Sequence, residues 1–209
     1  MKQNRKGLLL VVSGPAGVGK GTIDTALIER NPDMKMSISA TTRNPRPGEI
    51  DGVHYFFKSS EEFERMIEND EFLEYMHVFN TNYYGTPRLF VEEELKSGHD
   101  VILEIDVQGA MKIRDSYPDA VLIFIAPPSM SELKARLIGR GTETADAVEK
   151  RYATAFDEMR YMDRYDYIVV NNVVDVAVCR VEAIIEAEKC RTVRSEALIN
   201  RLLGGSEKP

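Results

Sequence analysis

The chain is poor in the side chains that build metal centres and covalent cross-links. It has two cysteines and three histidines in 209 residues. His54, His77 and His99 are scattered, without the spacing of a metal site. Cys179 and Cys190 fall on one predicted helix, eleven positions apart. At about 1.5 Å of rise per residue they are beyond disulfide reach. Three turns put them on one face, where they are expected to pack in the core, and a reducing cytoplasmic compartment is the expected location. Positive charge is also short: 27 Lys and Arg stand against 34 Asp and Glu, a net charge of −7. That argues against a general nucleic-acid surface, so a small anionic substrate would need a local arginine cluster. No apolar run is long enough to cross a membrane. The basic start, Met1 to Lys6, precedes an apolar segment, Leu8 to Val12, that is too short for a secretory signal. Internal repeats and low-complexity blocks are absent, and residues 204–209 read as a disordered tail. The length suits one domain with small inserted lobes.

What is present begins directly after that apolar segment. Gly14-Pro15-Ala16-Gly17-Val18-Gly19-Lys20-Gly21-Thr22 has the spacing of a phosphate-binding loop. Glycines let the backbone curl so that several N–H groups aim at one phosphate. Lys20 adds a full charge, and the next helix points its positive end at the same anion. Ile23, Ala26, Leu27 and Ile28 recur at helical spacing until Asn31-Pro32 stops that helix. Ser or Thr usually follows the lysine of such a loop; here that place is taken by Gly21, and Thr22 comes next.

Four short apolar segments, residues 8–12, 101–105, 121–125 and 167–170, predict buried parallel strands. Ser129 with Glu132, and Asp146 with Glu149, have capping-box spacing, the second for a helix running to about Asp163. Asp175 is expected to cap a long final helix. Strands alternating with helices make an α/β sheet covered on both faces. Residues 35–86 break the rhythm: Met36 to Ala40, His54 to Phe57 and Phe72 to Phe79 predict strands around a helix capped by Ser59 and Glu62. Such an inserted lobe is a place for substrate specificity.

The segments GPAGVGKGT, SISATTRNPRPGEIDGVHYFF, EFLEY, NYYG, ILEIDVQG, IFIAPPS and RLIGRGTET, followed by Arg151, resemble the guanylate kinases in the family's order across roughly residues 7–190. The resemblance implies a P-loop three-layer α/β fold with a parallel central sheet, a small inserted mixed or antiparallel nucleotide-binding lobe and a helical lid. The core would be 1–38, 87–127 and 164–190, the GMP lobe 39–86, the lid 128–163 and a tail 191–209. It implies transfer of the γ-phosphoryl group of ATP, with Mg²⁺, to GMP or dGMP, and ATP and GMP as partners without nucleic acid or membrane. Monomer and homo-oligomer remain equally open.

By the same resemblance, Gly14 to Thr22, Arg136 and Asn171 bind ATP. Ser39, Arg43, Arg46 and Tyr55 clamp the GMP phosphate through hydroxyls and guanidinium forks. Glu74, Tyr84, Thr86 and Asp106 contact GMP, with Glu74 offering two acceptors to the two adjacent guanine donors. Adenine puts an acceptor there and is rejected. Lys20, Arg43, Arg140 and Arg151 carry catalysis by stabilising charge on the phosphoryl oxygens. Mg²⁺ contact through Thr22 or Glu104 is open. Ala16 and Ala40 stand where Ser is frequent in the family, and Asn172 where Asp is common. Two rivals follow from the same motifs: a kinase for another nucleotide, and a non-catalytic guanylate-kinase-like module that binds phosphopeptides.

Overall fold

The computed structural model describes residues 6–78, 81–139 and 145–204. Its centre is a five-stranded sheet in the order β2-β7-β1-β8-β9. The strands are β1 (Leu9–Ser13), β2 (Lys35–Met36), β7 (Val101–Glu104), β8 (Val121–Ala126) and β9 (Tyr167–Val170), and all their pairings are parallel. In the central register Leu10 lies beside Ile102 on one side and Val121 on the other.

Side chains alternate across a strand, so β1 feeds two cores. Leu8, Leu10 and Val12 face α1 (Lys20–Arg30) and α7 (Val174–Lys189), packing with Ile23, Leu27, Val178 and Val181. Leu9 and Val11 face α3 (Arg88–Lys96) and α4 (Val107–Ser116), packing with Val91, Leu95, Ala110 and Ile113. That two-sided burial explains why β1 reads as an unbroken apolar run rather than an alternating one.

A second sheet has the order β4-β3-β6-β5. It contains β3 (Ala40–Thr41), β4 (Phe56–Phe57), β5 (Phe72–Val78) and β6 (Asn82–Pro87). β3 runs parallel to β4 and antiparallel to β6, so the sheet is mixed. Helix α2 (Ser60–Glu68) covers it, and Phe63 stacks on Phe72 and Tyr83 at ring-centroid distances of 4.4 and 5.2 Å. The Ser59 and Glu62 capping box is complete in both directions. Beyond the sheets lie α5 (Met130–Gly139), α6 (Ala145–Met159) and α8 (Glu196–Leu202).

Several expectations need correction. The single strand expected over Met36 to Ala40 is two strands in different sheets, because the chain leaves the central sheet at Ser37, whose N–H still donates to the Ile102 carbonyl. Only Phe56 and Phe57 of the predicted His54 to Phe57 strand pair in a ladder. Residue 79, the expected end of β5, lies outside the described residues. β9 is an edge strand, and only Val169 in it is buried. Helix α6 stops at Met159, and a short 3₁₀ turn follows over Met162–Arg164. Asp175 does not cap α7: Val173 holds that position, and Asp175 in the first turn accepts from Arg30 at 2.6 Å. Cys179 and Cys190 are both exposed, because the buried stripe of α7 runs through Ala177, Val178, Val181 and Ile185 instead.

The segment after α7 is fastened back to the body. Buried Glu188 accepts from Tyr167 at 2.7 Å and pairs with Arg191 and Arg194 at 3.3 and 3.5 Å.

Candidate active site

A cleft of about 310 Å³ opens where the central sheet meets the mixed sheet. Gly14, Ala16 and Lys20 form one end, and Ser39, Tyr55, Glu74 and Tyr84 form the other. Glu104 and Asp106, from the carboxyl end of β7, lie along it, where ligands of open α/β sheets bind.

The loop end is shaped by backbone. Gly14, Gly17 and Gly19 have φ of +139°, +84° and +97°, which side-chain-bearing residues avoid. A Cβ on Gly14 would lie 2.3 Å from the Ile125 carbonyl oxygen. Gly19 is the N-cap of α1 and caps it with no side chain, so the first helical N–H groups stay available for an anion. Lys20 Nζ donates to the Gly14 carbonyl at 2.7 Å. Buried Asn171 donates to the Val18 carbonyl at 2.9 Å, and Arg136 donates to the Asn171 carbonyl at 3.1 Å. Asn171 and Arg136 thus brace the loop from β9 and α5. Pro15, Gly17, Val18, Gly19 and Gly21 belong to this turn without lining the cleft.

The other end is shaped by side chains. A bulge between Phe72 and Glu74 sets Glu74 opposite Thr86. Glu74 is 7% exposed, and the Thr86 hydroxyl donates to Oε1 at 2.8 Å. A Cβ on Gly109 would come within 3.1 Å of Glu74 Oε2, so the bare glycine leaves this carboxylate its room. Burial pushes the Glu74 carboxyl up to about 7, against the Thr86 hydrogen bond, which pulls it down, and with help from Asp106. Asp106 also caps α4, accepting from the Gly109 N–H at 2.7 Å.

Arg43 lies on the rim. Glu49 grips it with two oxygens at 2.8 and 2.9 Å and also accepts from the Arg46 N–H at 2.7 Å. The Arg43 guanidinium sits 5.3 Å from the Tyr55 ring centroid and 5.8 Å from that of Phe57. Among the described residues its buried Nε has no partner, a spare donor beside Tyr55. Arg46 is exposed on the same loop. Arg151 is half-buried on α6, and Arg140 lies outside the described residues.

Hard oxygen donors that fit hydrated Mg²⁺ are present. Glu104 Oε2 is 3.3 Å from the position a Cβ of Gly21 would take. Thr22 is exposed on α1 and does not line the cleft. Beside Glu104 lies Asp24, 1% exposed with neither carboxyl oxygen hydrogen-bonded among the described residues. Burial, then the Glu104 charge, raise Asp24 well above the ordinary carboxylate range.

Sequence reasoning missed Asp24, Glu49, Gly109 and Glu158. Asp24 is legible in hindsight: it follows Ile23 and precedes Leu27 by three, on the buried stripe of α1. Glu158 stands seven residues after Arg151, on the same helix face. Glu49 and Gly109 carry no local signal, since their partners come from folding.

The guanylate kinase family model matches residues 6–188. A relative from Caldanaerobacter subterraneus subsp. tengcongensis named guanylate kinase is 54% identical over 95% of this chain and 96% of its own length. One of the same name from Halalkalibacterium halodurans is 53% identical over 92% and 94%. The crystal structure of guanylate kinase from Anaplasma phagocytophilum covers 98% of this chain and 99% of its own, with TM-score 0.78 and 33% identity. A chain with this loop, this buried acid and these relatives belongs to the guanylate kinase family.

Proposed function

We propose that the chain transfers the γ-phosphoryl group of ATP to GMP or dGMP, giving ADP and GDP or dGDP. One observation carries the reading: a buried, hydroxyl-fixed Glu74 carboxylate and Lys20 of the phosphate loop line one cleft. Guanine presents two adjacent donors to Glu74, while Tyr84, Thr86 and Asp106 complete its surroundings. Ser39, Arg43, Arg46 and Tyr55 hold the acceptor phosphate. The loop from Gly14 to Thr22 holds the donor phosphates, with Arg136 and Asn171 toward the adenine side.

Transfer of this kind runs on positioning and cations. Lys20 and Arg43 neutralise the two facing anions, and Arg140 and Arg151 join them from the lid, 128–163, as it closes on the lobe, 39–86. Glu104, ahead of Thr22, is the side chain that would hold the hydration shell of Mg²⁺ brought by ATP, which would supply further neutralisation of phosphate charge. The acceptor oxygen is already anionic, so no general base is required. The work is that of a cytoplasmic enzyme. Among the described residues no helix is long and apolar enough to cross a membrane.

A coupled assay of ADP release with GMP, dGMP, AMP, UMP and CMP tests the reading. Turnover is expected with the guanine nucleotides alone. Equal rates with AMP would overturn the role given to Glu74, and no turnover with GMP would overturn the whole.

A further inference from the structure

Glu158 belongs to none of the motifs that carry the resemblance, yet its carboxylate lines the cleft together with Lys20, Glu104 and Asp106. It sits in the last turn of α6, and the chain just beyond is fastened to the body. Met159, Tyr161 and Met162 pack against Val107, Phe124 and Ala126. The Arg151 end of α6 lies two turns away, so Glu158 is the part of this helix held to the cleft floor.

The charged and titratable groups around it come from every neighbouring element. Lys20 acts on it from α1, Asp106 from the start of α4 and Tyr165 from just past the 3₁₀ turn, while Glu104, Glu74, Tyr55 and Tyr84 line the same cleft. Arg151 shares its helix. No ion pair joins Glu158 to a described cation, and Lys20 Nζ is instead bonded to the Gly14 carbonyl at 2.7 Å. The Glu158–Lys20 interaction therefore acts through space. Burial pushes the Glu158 carboxyl up to about 7, the Lys20 charge opposes that shift, and Asp106 reinforces it.

We propose that Glu158 is a positioning residue that acts through Lys20: it balances the lysine charge before the donor binds and takes up one proton when the donor phosphates reach Lys20. The only bond formed is O–H on a Glu158 carboxylate oxygen, and the proton comes from solvent. The physical reason is competition. A donor phosphate claims the Lys20 charge and places its own negative charge nearby, so a desolvated carboxylate there becomes costly to keep ionised. Donor binding is then linked to pH above neutrality, where Glu158 must be protonated at the expense of binding. This inference rests on the assignment of the loop end to the donor nucleotide.

The test is calorimetric titration of the whole enzyme with ATP and Mg²⁺, without acceptor, in two buffers of different ionisation heat at pH 7.5. Wild type is expected to take up about half a proton more per ATP than Glu158→Gln. The Gln variant, which mimics the protonated acid, should bind ATP about five- to ten-fold more tightly than wild type at pH 8 and equally at pH 6. Glu158→Asp should retain proton uptake, which loss of a merely structural side chain would not explain. Equal proton counts in wild type and Glu158→Gln would overturn the proposal. If the Gln variant does not fold, wild-type ATP affinity decides: a fall of up to about ten-fold per pH unit above 7 supports it, and a flat profile overturns it. Absence of ATP binding in every protein would overturn the donor-site assignment as well, which separates the two failures.

Discussion

The two ends of the cleft are built on different principles. At the end proposed for the acceptor, side chains lock one another. Thr86 fixes Glu74, Gly109 gives it space, and Glu49 holds Arg43 against Tyr55 and Phe57. At the end proposed for the donor, the backbone does the holding. Lys20 is bonded to its own loop, Asn171 and Arg136 both donate to backbone carbonyls, and Arg136 is itself steadied by Glu132 one turn back on α5. Every nucleoside triphosphate has the same phosphates, so a backbone cradle needs no further discrimination. Choosing guanine over adenine needs acceptors at fixed places, which only a supported side chain supplies.

The sharpest way to break this contrast is Lys20→Ala. Turnover should fall about 10³-fold or more, because a cation is lost from the transferring phosphoryl group. The melting temperature should hardly change, since the lysine bonds only its own loop. A wild-type-like rate would remove Lys20 from the mechanism.

Glu74→Gln comes next. It replaces one acceptor by a donor facing guanine donors, so kcat/KM for GMP should drop about 10²- to 10³-fold. ATP affinity, measured by calorimetry, should stay as it was. The pH dependence follows from the raised Glu74 value of about 7. The folded state binds the Glu74 proton more tightly than the unfolded chain. Stability relative to the Gln variant is therefore fully present below the ordinary glutamate value and lost as pH rises through about 7. GMP needs the ionised form, so its affinity should weaken below pH 7 by up to about ten-fold per unit, beyond the titration of the phosphate itself. Denaturant unfolding and GMP titrations across pH check the two signs, which run in opposite directions.

Arg43→Ala should lower kcat/KM for GMP about 10²-fold while leaving ATP binding intact. A matching loss in ATP affinity would mean that the two ends are not separate devices. The smallest effect belongs to Ser59→Ala, which removes the α2 cap behind the acceptor end. It should cost about 1 kcal/mol in unfolding experiments with little change in turnover at ambient temperature.

Legibility follows the same division. The phosphate loop and the strands β1, β7 and β8 announce themselves because burial on both faces demands continuous apolar runs. Ser59 and Glu62 announce α2 because a cap is a local bargain between neighbours. Cys179 and Cys190 were misplaced because helical spacing fixes only that two residues share a face, not which face is buried. Asp175 failed as a cap because Arg30, far away in sequence, holds it as an ion pair. The two-residue strands β2 and β3 were merged because so short a pairing leaves no periodicity to read.

By itself the sequence determined the glycine-rich turn before α1, the class of fold and the order of the family's segments, since these depend on residues close along the chain. Only the tertiary structure decided that Glu74 is a buried acid cradled by Gly109, that Glu49 restrains Arg43 and that Glu158 shares a cleft with Lys20. Desolvation and through-space charge depend on what surrounds a group in three dimensions, and those surroundings come from segments many residues apart.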